Sequence, residues 1–280
     1  MMRKMPPRRR HGAATSTIAS LATFVAFCAL FTAVPSAQLP APIIDASAAR
    51  QWLGQEQRIE EHLKSADIMR IEDIGTGVTR PRRAFLSPNA PVESLVWKAL
   101  PPGRRQGYWE SYKSEIAAYE LDRLLNMRMV PPAVERKIGD ETGAAVMWVS
   151  GMKSVKELGG KVPGGADWGK PIRQMQMFDN LIRNIDRNAG NILIGQPGDI
   201  ILIDHSRAFT SDKKLQNKVE RVDADLWERM QTLTRENLTR ALGPWLDEQA
   251  ITAIITRRDA MAVEVEKQIA KRGRALVLLP

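Results

Sequence analysis

The hexapeptide Asp186-Arg187-Asn188-Ala189-Gly190-Asn191 is the part of the sequence whose residue types and spacing best fit chemistry. It begins with an acid and ends with an amide, and Asp204 follows after two short apolar runs. Asn191 and Asp204 offer the oxygen ligands that hard divalent cations prefer, and such cations neutralise the charge of nucleotide phosphates. Asp186, at the mouth of the loop, is placed to orient an incoming hydroxyl. Asp and Asn also cluster in ordinary turns, but the order of these residues favours a catalytic role.

Lys98 is the one cation inside the mostly apolar run 93–100. Removing a cation from water is costly unless an anion lies beside it. A nucleotide phosphate and a carboxylate on the following helix would supply such anions. We predict that the carboxylate is Glu115, with Glu120 as the second choice. The alternative is an edge strand on which Lys98 faces solvent and Glu115 is an ordinary surface residue.

The turn Gly75-Thr76-Gly77-Val78 lies between the first two predicted strands and precedes Lys98. Backbone amides of a Gly-containing turn can cover phosphates, so we predict that this turn binds the nucleotide. Two glycines in a hairpin are usually only a turn, and the position before Lys98 is what favours binding. The neighbouring arginines are expected on a solvated face, and they are Arg80, Arg82 and Arg83.

The elements that must position these residues fall into two groups. An amphipathic leading helix within residues 38–65 is expected outside the core domain. Short β-prone runs follow at 68–74, 82–86 and 93–100, then a helix at 108–127 and a hairpin of 133–137 with 144–149. Beyond them come a helix at 171–184, strands at 192–194 and 200–203, and helices after residue 212. This order predicts a two-lobed α+β fold, with a small antiparallel sheet in an N-lobe (66–152) and a mainly helical C-lobe (153–280).

Residues 1–37 have the layout of a secretory signal peptide. Five basic residues occur among the first ten, and an uncharged run then extends from residue 18 to residue 34. Cleavage and export to a periplasmic or secreted location are predicted. An uncleaved membrane anchor, with the rest of the chain outside the cytoplasm, is the alternative.

Composition excludes several classes of function. Without residues 1–37 the chain has 36 Lys and Arg against 32 Asp and Glu, so its basicity is mild. Binding to a phosphate backbone needs clustered basic residues, and a nucleic-acid partner is therefore rejected. The single cysteine, Cys28, lies in the N-terminal apolar run. A processed chain would have no disulfide, catalytic thiolate or cysteine metal site.

The combination of these motifs resembles the atypical secretory-pathway kinases of the Golgi casein kinase type, over roughly residues 66–210. The Asp-Arg-x-x-x-Asn core at residues 186–191 is also similar to that of phosphoinositide kinases and HipA-type bacterial kinases. The residues that carry the likeness are Lys98, Glu115 to Leu125 with Val130-Pro131-Pro132, Phe178 to Asn191, and Ile203-Asp204-His205-Ser206.

The resemblance implies a two-lobed kinase-like fold and ATP-dependent phosphorylation of an alcohol on a protein or a glycan. It implies that Lys98 contacts the phosphates, that Glu115 positions Lys98 or contacts metal, and that Asp186 is the catalytic base. It also implies that Asn191 and Asp204 bind Mg²⁺ or Mn²⁺. The chain departs from ordinary protein kinases in two places: Asn184-Ile185 precede Asp186, and His205-Ser206 follow Asp204.

Two other functions remain open at the level of sequence. A pseudokinase would keep the fold, with or without the nucleotide pocket, and serve as a binding or scaffold module. The presence of all five key polar residues argues against it, whereas the scarcity of ATP outside the cytoplasm favours it. A lipid kinase at the membrane surface is favoured if the N-terminal segment stays uncleaved.

Overall fold

The structure is a computed structural model that describes residues 50–75, 80–88, 91–164, 167–195 and 199–280. The predicted signal peptide, residues 1–37, lies outside the described residues. The described helices are α1 (Glu56–Ser65), α2 (Lys113–Leu124), α3 (Gly169–Ile182), α4 (Ala224–Gln231), α5 (Arg235–Leu242) and α6 (Glu248–Arg272). The described strands are β1 (Ile68–Asp73), β2 (Arg82–Leu86), β3 (Ser94–Lys98), β4 (Gly103–Arg105), β5 (Tyr108–Glu110), β6 (Ala133–Ile138), β7 (Glu141–Met147), β8 (Lys153–Ser154), β9 (Ile192–Ile194), β10 (Ile200–Leu202), β11 (Val222–Asp223) and β12 (Leu278–Leu279).

Five strands form one antiparallel sheet in the order β1-β2-β3-β7-β6. β3 is its central strand, paired with β2 on one side and with β7 on the other. The β3–β7 ladder ends where Lys98 lies opposite Ala144. The expectation of a small antiparallel sheet is confirmed, and the alternative that placed Lys98 on an edge strand is wrong.

The two faces of β3 have different neighbours because side chains alternate along a strand. Leu95 and Trp97 are fully buried in an apolar cluster that also contains residues of α1. Val96 packs instead against the larger cluster, which includes residues of α2 and of the helical lobe. Lys98 shares the face of Val96, so its side chain is directed toward α2 and the second lobe.

The leading helix belongs to the core, contrary to the prediction. Ile59 and Leu63 are four residues apart on one face of α1, and both are completely buried against the sheet. Arg136 of β6 donates hydrogen bonds to the carbonyl oxygens of Leu63 (2.9 Å) and Ala66 (2.6 Å) at the end of the helix. These carbonyls lack partners within the helix, so Arg136 both caps α1 and fixes it to the sheet.

A small hairpin occupies residues that the sequence assigns to the start of a long helix. β4 and β5 pair through Arg105 and Tyr108, and the two residues between them, Gln106 and Gly107, have φ values of 49° and 85°. Positive φ at both positions is typical of the two-residue turns that match the twist of a hairpin. The helix α2 therefore begins only at Lys113.

The turn after α2 is held by the buried carboxylate of Asp122. It accepts hydrogen bonds from the backbone amides of Arg128 (3.0 Å), Met129 (2.9 Å) and Val130 (3.2 Å). The carbonyl of Met129 in turn accepts a hydrogen bond from the amide of Leu202 in β10 (2.8 Å). The end of α2 is thereby joined to the strand that leads into Asp204.

The second lobe is mainly helical, as expected. Phe178, Leu181 and Ile182 of α3 are buried in the larger cluster, to which α4, α5 and α6 also contribute. A short parallel ladder between β11 and β12 is the exception to the helices expected after residue 212. The α+β fold is confirmed. Among the described residues, no helix combines the length and the apolar character needed to cross a membrane.

The burial of α1 gives a first testable prediction. Leu63→Ala should lower the free energy of unfolding by about 2–5 kcal/mol, because it removes a fully buried side chain and leaves a cavity. Leu276→Ala, at a leucine that is 57% exposed, serves as the control and should change it by about 0.5 kcal/mol or less. Urea denaturation of both variants measures the difference. Equal effects would show that α1 does not pack on the sheet.

Candidate active site

Lys98 forms ion pairs with two of the predicted site residues. Its Nζ lies 2.6 Å from Glu115 Oε1 and 2.8 Å from Asp204 Oδ1. The side chains of Lys98 and Glu115 are 7% and 3% exposed, whereas that of Asp204 is 31% exposed. Residues far apart in sequence, on β3, on α2 and after β10, thus meet at one ammonium group.

Mutual attraction keeps Lys98 and Glu115 charged. Burial disfavours the charge of Lys98, but the carboxylates of Asp204 and Glu115 outweigh it and raise the pKa of Lys98 above its ordinary value. Burial also disfavours the charge of Glu115. The charge of Lys98 and the hydrogen bond from His205 outweigh it and hold the pKa of Glu115 below its ordinary value.

Glu115, and not Glu120, faces Lys98 because of the geometry of the helix. Five residues correspond to about 500° of helical rotation, so the two side chains point about 140° apart. Glu120 pairs with Arg123 at 3.5 Å instead. The second oxygen of Glu115 accepts a hydrogen bond from the backbone amide of His205 at 3.0 Å. Glu115 therefore contacts both Lys98 and the residue that follows Asp204.

Asp204 adopts a backbone conformation that few residues other than glycine adopt. Its φ is 59°, in the left-handed region where Asp is better tolerated than most side chains. Its Oδ1 accepts hydrogen bonds from Lys98 Nζ and from Ser206 Oγ (3.1 Å). Such a conformation persists where surrounding contacts enforce it, and here it directs the carboxylate toward Lys98.

The loop that carries Asp186 is closed by its own amide side chains. The carbonyl of Asp186 accepts hydrogen bonds from Asn188 Nδ2 and Asn191 Nδ2, both at 3.0 Å. The carbonyl of Asn191 accepts a hydrogen bond from the amide of Ile203 at 3.2 Å. This bond brings Asn191 next to the residue that precedes Asp204.

Arg187 organises the loop, a role that its sequence context does not indicate. Its guanidinium pairs with Asp179 of α3 at 3.0 Å and donates to the carbonyls of Asn191 and Ile203, both at 2.8 Å. It also lies 3.0 Å from His205 Nε2, which must accept, because arginine can only donate. The sequence offers no clear signal for this role, because two of the partners of Arg187 are backbone carbonyls and the burial of Asp179 (1% exposed) is visible only in the structure.

The carboxylate of Asp186 is the most open of the predicted acids, with 39% of its side chain exposed. Its Oδ2 lies 3.4 Å from Arg207 Nη1. A groove of about 870 Å³ lies between the β4–β5 hairpin and the turn from α5 to α6, and Ile185, the residue before Asp186, is part of its lining. Four aromatic residues line this groove, and they are Tyr108, Trp109, Phe209 and Trp245.

The predicted phosphate-covering turn is only partly described. Gly75 has φ of 71°, which suits a turn, and lies in an open position. Thr76, Gly77 and Val78 lie outside the described residues. Their proposed contact with phosphates remains a prediction.

Gly143 of β7 allows a close approach to the backbone at Lys98. A Cβ atom at this position would lie within 3.0 Å of backbone atoms of Lys98 and Ala99. Real Cβ atoms do not make such contacts with backbone. The absence of a side chain therefore lets β3 and β7 meet at the end where Lys98 projects.

The side chains around Asp204 fit a divalent cation. Within the described residues, Asp204 Oδ2 and Asn191 Oδ1 accept no hydrogen bond, so two oxygen atoms are available. No group of three or more His, Cys, Asp or Glu side chains suited to metal binding occurs in the same part of the chain. Mg²⁺ is usually held by one or two carboxylates together with substrate phosphates, and this mode needs no larger group.

The fold is that of a kinase-like protein. The chain resembles the structure of hydra Fam20 with sugar, with a TM-score of 0.65 and 16% identity over 80% of this chain and 91% of that one. It also resembles the Golgi casein kinase (TM-score 0.64, 14% identity, 80% of this chain and 79% of that one). A further match is the Golgi casein kinase with Mn/ADP bound (0.61, 16%, 80% and 78%).

These likenesses confirm at the level of the fold the resemblance that the motifs indicate. The chain matches no model of a protein family and no curated protein sequence. At these identities the likeness shows the fold alone.

The ion pairs give a prediction for acid stability. The pKa of Glu115 is held below its ordinary value near 4.5, so its stabilising effect is present above pH 4.5 and is lost as the pH falls further. Glu115→Gln should be less stable than the native chain by about 3 kcal/mol at pH 7. This difference should shrink as the pH falls from 4.5 toward 3 in denaturation experiments.

Glu120→Gln is the matched control, because burial raises the pKa of Glu120 and reverses the sign. The contribution of Glu120 is fully present below pH 4.5 and is lost as the pH rises. The native chain should therefore lose stability relative to Glu120→Gln between pH 4.5 and 7. The same sign of pH dependence in both variants would contradict the assignment of Glu115 as the partner of Lys98.

Proposed function

We propose that this protein is an ATP-dependent kinase that transfers the γ-phosphoryl group to an alcohol acceptor on a protein or a glycan. The observation that carries the proposal is the simultaneous pairing of Lys98 with Glu115 and Asp204 in a kinase-like fold. The same arrangement is expected of an assembled nucleotide site, in which a lysine on the sheet is held by a helix carboxylate.

Each site residue has a distinct role in this proposal. Lys98 contacts the phosphates, and Glu115 holds Lys98 in place. Gly75 and the turn after it cover the phosphates with backbone amides. Asn191 and Asp204 hold Mg²⁺ or Mn²⁺ through oxygen atoms, and the ion when bound neutralises the charge of the nucleotide phosphates.

Asp186 orients the acceptor and receives its proton. The hydroxyl oxygen forms a bond to the γ-phosphorus as the bond from that phosphorus to the bridging oxygen of ADP breaks. The hydroxyl proton passes to the carboxylate of Asp186, and ADP leaves with the electron pair of the broken bond. Catalysis then depends on positioning and on charge stabilisation by the chain.

The solved structures support the nucleotide and the metal. One similar structure is described as the Golgi casein kinase with Mn/ADP bound, which favours a nucleoside polyphosphate and a divalent cation here. The structure of hydra Fam20 is described as containing sugar, and a glycan acceptor stays in the proposal beside a protein acceptor. The groove that reaches Ile185, the residue before Asp186, is the proposed path by which the acceptor approaches, and its lining is partly aromatic.

A nucleotide-binding experiment tests the proposal. ATP with Mn²⁺ or Mg²⁺ should raise the melting temperature by roughly 5–10 °C at about 100-fold excess over Kd, because the ligand binds only the folded state. Asp204→Asn should lose the metal-dependent part of this shift. Asp186→Asn should keep the shift but lose turnover, measured as ADP released from ATP.

Each variant replaces one carboxylate by an amide of similar size, so it removes a single negative charge at a known position. Equal behaviour of Asp204→Asn and Asp186→Asn would contradict the separate roles given to them. A shift with ATP but no turnover under any condition would favour the pseudokinase. No shift with any nucleotide or metal would refute the nucleotide site.

We further propose that the kinase-like part is exported, on the basis of the N-terminal segment. Mass spectrometry of the mature protein should find an N-terminus near residue 37, because small residues at Ser36 and Ala37 suit signal cleavage. An intact N-terminus in a membrane fraction would instead favour the anchored form, and with it an acceptor at the membrane surface.

A further inference from the structure

Glu110, at the end of the β4–β5 hairpin, is a buried acid with a specific partner. Its side chain is 3% exposed, and its Oε1 accepts a hydrogen bond from Arg207 Nε (2.9 Å) and lies 2.8 Å from Arg207 Nη2 in an ion pair. A carboxylate removed from water requires such a partner. The hairpin is thereby anchored to the segment that follows Asp204.

The rest of the Arg207 guanidinium faces Asp186. Its remaining terminal nitrogen, Nη1, lies 3.4 Å from Asp186 Oδ2. Its flat face lies over the ring of Tyr108, with Cζ 4.5 Å from the ring centre. In the described part of the chain, no other cation lies within ion-pair distance of the Asp186 carboxylate.

The backbone on either side of Arg207 is also tied to the hairpin and to α2. The amide of Ser111 donates a hydrogen bond to the carbonyl of Ser206 at 3.0 Å. The hydroxyl of Ser114 donates one to the carbonyl of Ala208 at 3.3 Å. Arg207 is thus fixed at its backbone and at its guanidinium by groups that come from outside its own segment.

We propose that Arg207 is a positioning residue for Asp186, and that the β4–β5 hairpin, through Glu110, determines where Arg207 lies. The inference rests on the proposed function, in which Asp186 receives the proton of the acceptor. The guanidinium binds one oxygen of Asp186 and leaves the other directed at the acceptor. The hairpin also lines the groove through Tyr108 and Trp109, so one element shapes the acceptor path and orients the base.

A planar guanidinium is required for this role. Its fork binds Glu110 with two nitrogen atoms and still reaches Asp186 with the third. Lysine is a point charge on a flexible chain and cannot contact both acids in a fixed geometry. The alternative, a purely structural pair that fastens the hairpin, requires only that positions 110 and 207 carry opposite charges.

The test compares Arg207→Ala, Arg207→Lys and the exchange of charges in Glu110→Arg with Arg207→Glu. The readouts are the rise in melting temperature with ATP and Mn²⁺, and the rate of ADP release from the same mixture. Arg207→Ala should keep the ATP-dependent shift and lose turnover by roughly 10- to 100-fold, because a misplaced base is costly. Arg207→Lys should give an intermediate rate. The exchange should recover stability relative to Arg207→Ala without recovering turnover.

Arg235→Ala is the control, since it breaks an arginine–glutamate pair with Glu248 on the surface of the second lobe. Its turnover should equal that of the native chain. Turnover at the native rate in Arg207→Ala, or recovery of turnover by the charge exchange, would overturn the inference while leaving the kinase proposal intact. If Arg207→Ala does not fold, the rate of ADP release by Arg207→Lys is the test. A rate equal to that of the native chain would overturn the inference. If the native chain neither binds ATP nor releases ADP, the proposed function fails, and the inference fails with it.

Discussion

The positive charge of Lys98 has to be neutralised inside the protein, because its ammonium group lies in the central strand of the sheet with almost no access to water. One counter-charge comes from α2 and the other from the segment after β10. The net gain in stability from buried ion pairs is often small, because desolvation opposes the attraction. The charge instead determines the geometry of the site, because β3, α2 and the segment after β10 must all meet at Lys98 Nζ.

Buried arginines provide the second level of organisation. Arg187 binds the carboxylate of Asp179 on α3, and it joins the loop of Asn191 to the end of β10 through the carbonyl oxygens of Asn191 and Ile203. Arg257 of α6 is completely buried and donates in the same way to the carbonyls of Leu181 and Thr210 (2.9 and 3.1 Å). Loops near an active site have carbonyl groups without partners in regular structure, and a guanidinium can bind several of them at once. Arg187 thereby holds the loop of Asp186 against the end of β10 that leads into Asp204.

Much of this arrangement could be predicted from the sequence, because its signals are local. A lysine in an apolar run indicates a buried charge, helical periodicity places Glu115 and α3, and the spacing within 186–191 predicts a loop. Three features could not be predicted. The apolar face of α1 does not reveal which surface covers it, and the turn at Gln106-Gly107 depends on a glutamine with positive φ, which its type does not indicate. Arg187 binds backbone carbonyls, which every residue type possesses, so its partners leave no pattern in the sequence.

Gly143 shows how an evolving lineage could lose the site without changing any of its charged residues. The position lies in β7, a strand that carries none of the charged residues of the site. Judged from its neighbours in the sequence, this glycine is an ordinary strand residue. Any side chain would press on the backbone at Lys98 and Ala99. The strand would have to move, and the ammonium group would move with it. Selection on this site should therefore act on an uncharged strand residue as well as on the acids and the lysine.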